Sequence, residues 1–378
     1  MKRFSFDIDV VGACNLRCPS CPQGNVKDYR LPHGYMDREL LARIVRKAVS
    51  ECAVARISLF SWGEPLLHPG IHELVRTVQE AGIPCHLSSN LNILPDADSI
   101  MAANPASFKI SVSGFTQETY GFSHRGGDMK KVKGHMVLLA EAKQRTNAST
   151  RIFVNYHRYR HNLKEEPMMR KFAEDLGFEF EPAWALLFPV EKILCLENVD
   201  FGAPAFSDED RNLIGQLALP FREALEASRV PEDPACPLRE EQISMDFQGN
   251  VQLCCGIFDA GRFTVGNYLE LPLDDIQKMR HNHGLCERCM KQGAHLYLTY
   301  RTPGMESLIL GNIPPEDAEL LKIKDEFVQE RRRRRIQRIY QAFFSKIISK
   351  ERKDRLKTGL AKMLRPANRA RRSPDGRG

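Results

Sequence analysis

The sequence predicts an α/β fold, a parallel sheet or barrel with helices outside, and three observations predict it. Short apolar runs alternate with helical patterns from the amino terminus, the order that buries a parallel sheet beneath its crossover helices. Six such runs occur, at 4–11, 56–61, 84–89, 107–113, 151–156 and 178–185. Polar clusters follow several of them, at the face where ligands gather in these folds because the strand-to-helix loops all open there.

The elements follow in order. The run 4–11 leads into Val11-Gly-Ala-Cys-Asn-Leu-Arg-Cys-Pro-Ser-Cys-Pro-Gln-Gly, which puts Cys14, Cys18 and Cys21 in one short segment. Pro19 and Pro22 lack an amide donor and clash inside a helix, so this segment is a loop. Gly12 and Gly24 bracket it with residues that tolerate positive φ. Helical patterns at 37–51, 70–82, 96–103, 130–145 and 164–177 separate the later runs. Ser61-Trp-Gly-Glu-Pro65 closes the second run, Ser88-Ser-Asn90 the third and Ser111-Val-Ser-Gly114 the fourth, with His124-Arg-Gly-Gly127 beyond it. Asn155 lies in the fifth run and Trp184 at the end of the sixth.

Three thiolates are one too few to close a four-iron cluster or a structural zinc site, so the triad leaves a metal position open for a small molecule. The C-x3-C-x2-C spacing after a first strand resembles the signature of the radical S-adenosylmethionine (radical SAM) superfamily. The resemblance implies a partial (β/α)6 TIM-like barrel. It also implies a [4Fe-4S] cluster on Cys14, Cys18 and Cys21, whose fourth iron takes the amino and carboxylate groups of S-adenosylmethionine. Ser20 departs from the aromatic residue frequent before the last cysteine, and Trp62 replaces the first glycine of the family's Gly-Gly-Glu-Pro motif. Gly63 and Glu64 then correspond to the residues that hold the methionyl ammonium. Ser88, Asn90, Ser111 and Ser113 correspond to contacts with the ribose and methionyl group. Arg125 suits the methionyl carboxylate, which a guanidinium can bind through two parallel hydrogen bonds.

A second set follows: Cys236, then Cys254 in Gly249-Asn-Val-Gln-Leu-Cys254, then Cys286-Glu-Arg-Cys289. Four thiolates can close a metal site. Residues 243–247 and 251–254 read as a hairpin turned at Gln248-Gly-Asn250, and 273–281 as a short helix that delivers the last pair. This resembles the SPASM and twitch extensions of radical SAM enzymes, which bind auxiliary [4Fe-4S] clusters. His295 and Thr299 stand where a full SPASM pattern has further cysteines, so one auxiliary cluster is expected, with a four-cysteine zinc site as the rival. Cys52 and Cys85 read as core thiols. Cys255 and Cys195 are left without a firm assignment.

At 378 residues, with 27% charged and 42% hydrophobic residues, the chain suits a large α/β core with a smaller appendage. The expected divisions are a barrel at 1–185, a linker at 186–235, an α+β SPASM/twitch domain at 236–300, a connecting segment at 301–330 and a basic helical tail at 331–378. The net charge of +7 conceals an asymmetry. From Arg331 onward there are 18 Lys and Arg against 3 Asp and Glu, a net of +15, while residues 1–330 carry 37 against 45, a net of −8. An apolar stripe at Ile336, Ile339, Tyr340, Phe343, Phe344, Ile347 and Ile348 runs through that tail. A helix packed on the barrel, an interfacial membrane helix and a nucleic-acid contact are its three readings. No apolar run approaches the roughly 20 residues that cross a bilayer. Asp7 and Asp9 break any secretory core, so the eleven cysteines point to a reducing cytoplasm, with peripheral contact at the inner membrane face if the tail binds lipid.

The resemblance implies reductive cleavage of S-adenosylmethionine to a 5′-deoxyadenosyl radical, hydrogen abstraction from a substrate, and an external one-electron reductant such as flavodoxin or ferredoxin. A closed auxiliary cluster has no vacant iron, so it is expected to accept an electron in a net oxidation. The first strand begins by about residue 5, which leaves no room before it for a leader-peptide domain. A sugar, aminocyclitol or lipid-linked glycan substrate is therefore expected, with peptide modification as the alternative. A non-catalytic zinc and nucleic-acid-binding protein is the remaining reading. The general base is not legible in the sequence.

Overall fold

The computed structural model describes residues 1–26, 33–195, 207–230 and 235–330. The expected basic helix and tail at 331–378 lie outside the described residues. Met1–Leu321 form one compact unit, and residues 322–330 lie outside it.

The six expected strands form in the first unit: β1 (Arg3–Ile8), β2 (Ala53–Ser58), β3 (Cys85–Ser89), β4 (Ser107–Ser111), β5 (Arg151–Arg158) and β6 (Glu179–Trp184). Consecutive strands pair in parallel. Three more strands, β7 (Gln242–Met245), β8 (Asn250–Gln252) and β9 (Thr264–Asn267), extend the sheet beyond β1. Among the described residues the order is β6-β5-β4-β3-β2-β1-β7-β8-β9. The sheet is open, with β6 and β9 at its edges. The hairpin expected at 243–254 is present as the antiparallel pair β7–β8. Residues 236–300, expected as a separate small domain, share the compact unit of the barrel strands because β7 pairs in parallel with β1 and covers its otherwise bare edge.

Helices Arg38–Glu51, Ile71–Glu80, Ala97–Ala102, Met129–Arg145 and Glu166–Asp175 supply the expected crossovers. Arg38–Glu51 begins where the Asp37 carboxylate accepts from the amides of Glu39 and Leu40 at 2.9 and 3.2 Å. It buries Leu41, Ile44, Val45 and Ala48, an i, i+3, i+4, i+7 stripe. Met129–Arg145 starts on Asp128, which caps Lys131, and carries Lys143 and Arg145 in its last turn, the signs that suit each end of the helix dipole. Phe6, Ile8, Ile57, Leu87, Phe108, Ile110 and Val154 form the buried centre, each contributing roughly 1.5–3 kcal/mol on full burial. No described helix is long and apolar enough to cross a membrane.

A buried ion pair ties β5 to the helix that follows it. Arg158 donates to both Glu166 oxygens at 2.7 and 2.9 Å while its guanidinium lies 4.9 Å over the Trp184 ring of β6. Both partners are inaccessible, so removing one strands the other's charge. Glu166→Ala is expected to cost about 3–5 kcal/mol in urea unfolding. Arg170→Ala, which removes the more exposed partner of the same carboxylate, should cost at most about 1 kcal/mol.

Candidate active site

The cysteine loop leaves β1 at the carboxyl end of the sheet. Its backbone is irregular until Pro22–Asn25, a single helical turn that Pro22 opens from the first position, where a missing amide costs nothing. The loop folds tightly on itself: Cys21 N donates to Cys18 O at 3.0 Å and Gly24 N to Cys21 O at 2.9 Å. A β-carbon on Gly24 would stand 2.3 Å from Cys18 O, so only glycine fits. Burial pushes the Cys14 thiol up to about 11, with the Glu64 charge as the next cause. Burial and the Cys14 neighbour push Cys18 up to about 12, and burial with both neighbours raises Cys21 well above a free thiol. The three sulfurs thus lie within electrostatic reach of one another and stay protonated until a cation draws them into thiolates.

Other elements hold the loop from outside. Asn25, buried, donates through Nδ2 to Pro19 O at 3.0 Å and Phe188 O at 3.1 Å. Lys192 Nζ reaches Asn25 O at 3.0 Å and is paired with Asp210 at 2.5 Å, both side chains buried. Arg125 donates to Arg17 O at 2.9 Å and Gly24 O at 3.5 Å and is paired with Glu209. Its guanidinium is thus placed as a clamp on the cysteine loop, which sequence reasoning did not anticipate.

The turn after β2 is pinned to β1 by a residue that sequence reasoning missed. The Asp9 carboxylate accepts from Trp62 N at 3.1 Å and from Gly63 N at 3.0 Å. A β-carbon on Gly63 would lie 2.0 Å from Val11 O, so the turn and the cysteine loop touch backbone to backbone. Glu64 is buried, its amide donating to Ala13 O at 2.9 Å and its carboxylate accepting from Leu66 N and Asn90 N at 3.1 and 2.9 Å. Asn90 Nδ2 in turn donates to Asn15 Oδ1 at 2.8 Å and lies 3.8 Å from Cys14 Sγ. The only signal for Asp9 was an acidic residue at the end of an apolar strand.

The remaining expected residues divide. Ser88 and Ser111 bring their hydroxyls within 3.5 Å of each other across β3 and β4. Ser113 is fully buried and its hydroxyl accepts from His157 N at 3.2 Å. Asn155 donates to Glu181 O, and Trp184 is buried under Arg158.

Cys236, Cys254, Cys286 and Cys289 line one pocket of about 420 Å³ whose other walls are largely apolar, Val190, Leu253 and Ile257 among them. Cys255 is not among its walls; its thiol lies 3.5 Å from Gln242 Oε1. Cys52 and Cys85 are buried core thiols. A second pocket of about 520 Å³ lies beside the first, lined by Asp9, Gly12 and Trp62 on the barrel side and by Ser244, Gln252 and Cys254 on the hairpin side. Cys254 is in the walls of both. Trp62 bridges the same gap: its indole donates to Ile257 O at 2.9 Å and meets Phe188 and Phe258 edge to face. Among the described residues no three His, Cys, Asp or Glu side chains converge on a single-ion site. A four-iron cube asks for a wider spread, one thiolate to each iron.

Burial is the largest influence on both Asp9 and Glu64 and raises each to about 7. The folded chain therefore keeps protons that the unfolded chain has already released, and stability falls as pH rises through that window. Urea midpoints of the metal-free protein should decline between about pH 4 and about pH 7. Asp9→Asn and Glu64→Gln, which keep a carbonyl acceptor, should each flatten the decline.

Residues 8–163 match the Radical SAM superfamily model. A GTP 3′,8-cyclase of Pelotomaculum thermopropionicum is 34% identical over 128 residues, 32% of this chain and 38% of that protein. A tungsten-containing aldehyde ferredoxin oxidoreductase cofactor-modifying protein of Pyrococcus furiosus is 30% identical over 89 residues, 24% of either chain. The chain thus spans well under half the length of these two relatives. Streptococcus suis SuiB, solved bound to its precursor peptide SuiA, superposes with a TM-score of 0.50 at 13% identity over 75% of this chain and 66% of its own, a likeness of fold. The matched stretch runs from the end of β1 past β5 and holds the cysteine loop and the Gly63-Glu64 turn, so this chain carries a radical SAM superfamily domain.

Proposed function

We propose that this chain is a radical SAM enzyme that oxidises a small polar substrate, with two iron-sulfur clusters in one compact unit. Cys14, Cys18 and Cys21 hold the first, and Cys236, Cys254, Cys286 and Cys289 the second. Bound together, the first cluster and S-adenosylmethionine supply one-electron cleavage of the sulfonium to methionine and a 5′-deoxyadenosyl radical. The donor sets fit: three thiols in a tight loop leave one iron for the nucleotide, and four thiols around an apolar pocket leave none.

The chain's own residues bind, orient and exclude water. Asp9 and Glu64 fix the Gly63 turn against the cysteine loop, so the nucleotide meets a backbone that does not need to reorganise. Glu64 already accepts from Leu66 N, Asn90 N and the Ser89 side chain, and the methionyl ammonium would take its remaining acceptor capacity. Ser88 and Ser111 offer a hydroxyl pair for the ribose, Asn90 orients Cys14, and the Arg125 charge beside Cys18 offsets a thiolate there. Ser113 supports this wall from behind through the His157 amide.

The observation that carries the oxidative reading is the position of Cys254 in the walls of both pockets. A substrate in the 520 Å³ pocket would lie against a ligand of the second set, which gives an electron a short way out. Asp9, Ser244 and Gln252 supply polar groups in its otherwise largely apolar walls. An external one-electron donor such as a flavodoxin or ferredoxin completes the cycle.

Anaerobic reconstitution should load about eight irons per chain, four for each set. Under strong reductant the protein should release 5′-deoxyadenosine, and Cys14→Ala should abolish that release. Cys286→Ala should halve the iron, keep deoxyadenosine release and block net oxidation. A colourless protein that leaves S-adenosylmethionine intact would falsify the proposal.

A further inference from the structure

Arg280 is fully buried in the helix Leu273–His281. Its three donor positions are all engaged: Nε to Leu253 O at 3.0 Å, Nη2 to Leu238 O at 2.7 Å and Nη1 to Gln277 Oε1 at 2.5 Å. Every acceptor is a neutral carbonyl. Among the described residues no carboxylate pairs with it. A guanidinium remains charged at any pH a protein survives, so a complete cation sits in the interior without an ordinary counter-ion. Carbonyl dipoles orient such a charge without cancelling it, and buried charges are normally paired or held near a metal centre.

The acidic groups that face it are thiols. Burial disfavours the Arg280 charge, and the strongest influences opposing that are the thiols of Cys254, Cys286, Cys236 and Cys255. Two of its hydrogen bonds end beside ligands of the second set, since Leu253 precedes Cys254 and Leu238 is two residues beyond Cys236. Arg239, which also lines the pocket, is paired with Glu240 at 3.0 Å. Four thiolates around a divalent metal or an oxidised four-iron cube leave a net anion. One more electron makes it more negative.

We infer that Arg280 is the buried counter-charge of a metal–thiolate centre at Cys236, Cys254, Cys286 and Cys289. It is a positioning residue that retains the metal and, where the metal is an iron cluster, raises its reduction potential toward that of an electron acceptor. A fixed cation stabilises the reduced state of a neighbouring cluster more than the oxidised state, because the reduced state carries the larger negative charge. The inference rests on the second set binding metal, as proposed above, but not on the identity of the substrate.

The test uses the full chain with Cys14, Cys18 and Cys21 all changed to alanine, so that any cluster belongs to the second set. Iron and zinc per chain and the spectroscopically monitored midpoint potential are compared for Arg280, Arg280→Lys and Arg280→Gln. Lysine keeps the charge and loses the fork, whereas glutamine keeps hydrogen bonding and loses the charge. The lysine variant should hold metal and stay near the parent potential. The glutamine variant should shift to a more negative potential or release its metal to a chelator about ten-fold faster. If the two variants behave alike, whether both intact or both stripped, the counter-charge role is wrong. Zinc in place of iron would overturn the redox reading and leave the charge role to be judged on metal release. A parent that binds neither metal would overturn both.

Discussion

β1 is hydrogen-bonded in parallel on both sides, to β2 and to β7, and everything functional is placed by that pairing. Its end carries the cysteine loop, while the Asp9 amide donates to Met245 O of β7 at 2.8 Å and the Asp9 side chain takes the Trp62 and Gly63 amides beyond β2. One residue therefore fixes the register between the loop for the first thiol set, the turn beside it and the hairpin that leads to the second. Parallel neighbours have their carboxyl ends on one side. The hairpin turn between β7 and β8 consequently lies on the same face as the cysteine loop, and the antiparallel return of β8 carries Cys254 back along β7 toward Cys236.

Much of this was legible in the sequence. The six barrel strands and five crossover helices follow from alternation of short apolar runs with 3.6-residue stripes, because each stripe, such as Leu41, Ile44, Val45 and Ala48, had to cover the sheet. The cysteine spacings were equally plain, since thiol ligands must be concentrated in short segments. What the sequence concealed were contacts between distant segments. Nothing local says that residues 242–245 will pair with residues 5–8, because a four-residue strand carries no address for its partner. Helices Gln117–Ser123, Asp208–Gln216 and Phe221–Ser228 escaped because each is short, with at most two or three turns in which a stripe can repeat. Asp9 and Arg280 read as ordinary charged residues until the fold surrounds them, and the hold of Arg125 on the backbone of the cysteine loop was equally hidden.

Trp62 shows how a departure from a family motif can be read physically. The position needs a backbone amide that reaches Asp9, and tryptophan supplies that amide as well as glycine does. The side chain is then free to point elsewhere, and it spans the gap to Ile257, Phe188 and Phe258. An indole presents a large apolar body and a single donor, so it fills the space beside the second pocket while leaving no buried donor unpaired. The substitution keeps the turn and adds a wall.

The two thiol sets differ in the charge that surrounds them, and the difference bears on which way electrons would run. Arg125, beside the first set, is partly exposed and shares its charge with Glu209, so solvent and the carboxylate both weaken its field at the sulfurs. Glu64 and Asp9 lie on the same side and add negative charge when ionised. Those features disfavour extra electrons at the first set, which is what a strong reductant requires. The second set faces a buried guanidinium with no carboxylate among the described residues, in a low-dielectric wall where the field is screened least. A strong donor and a milder acceptor can therefore be built from the same thiolates by changing only the neighbouring charges. With clusters on both sets, as proposed, electron flow from substrate toward the second set is the direction that this arrangement would favour.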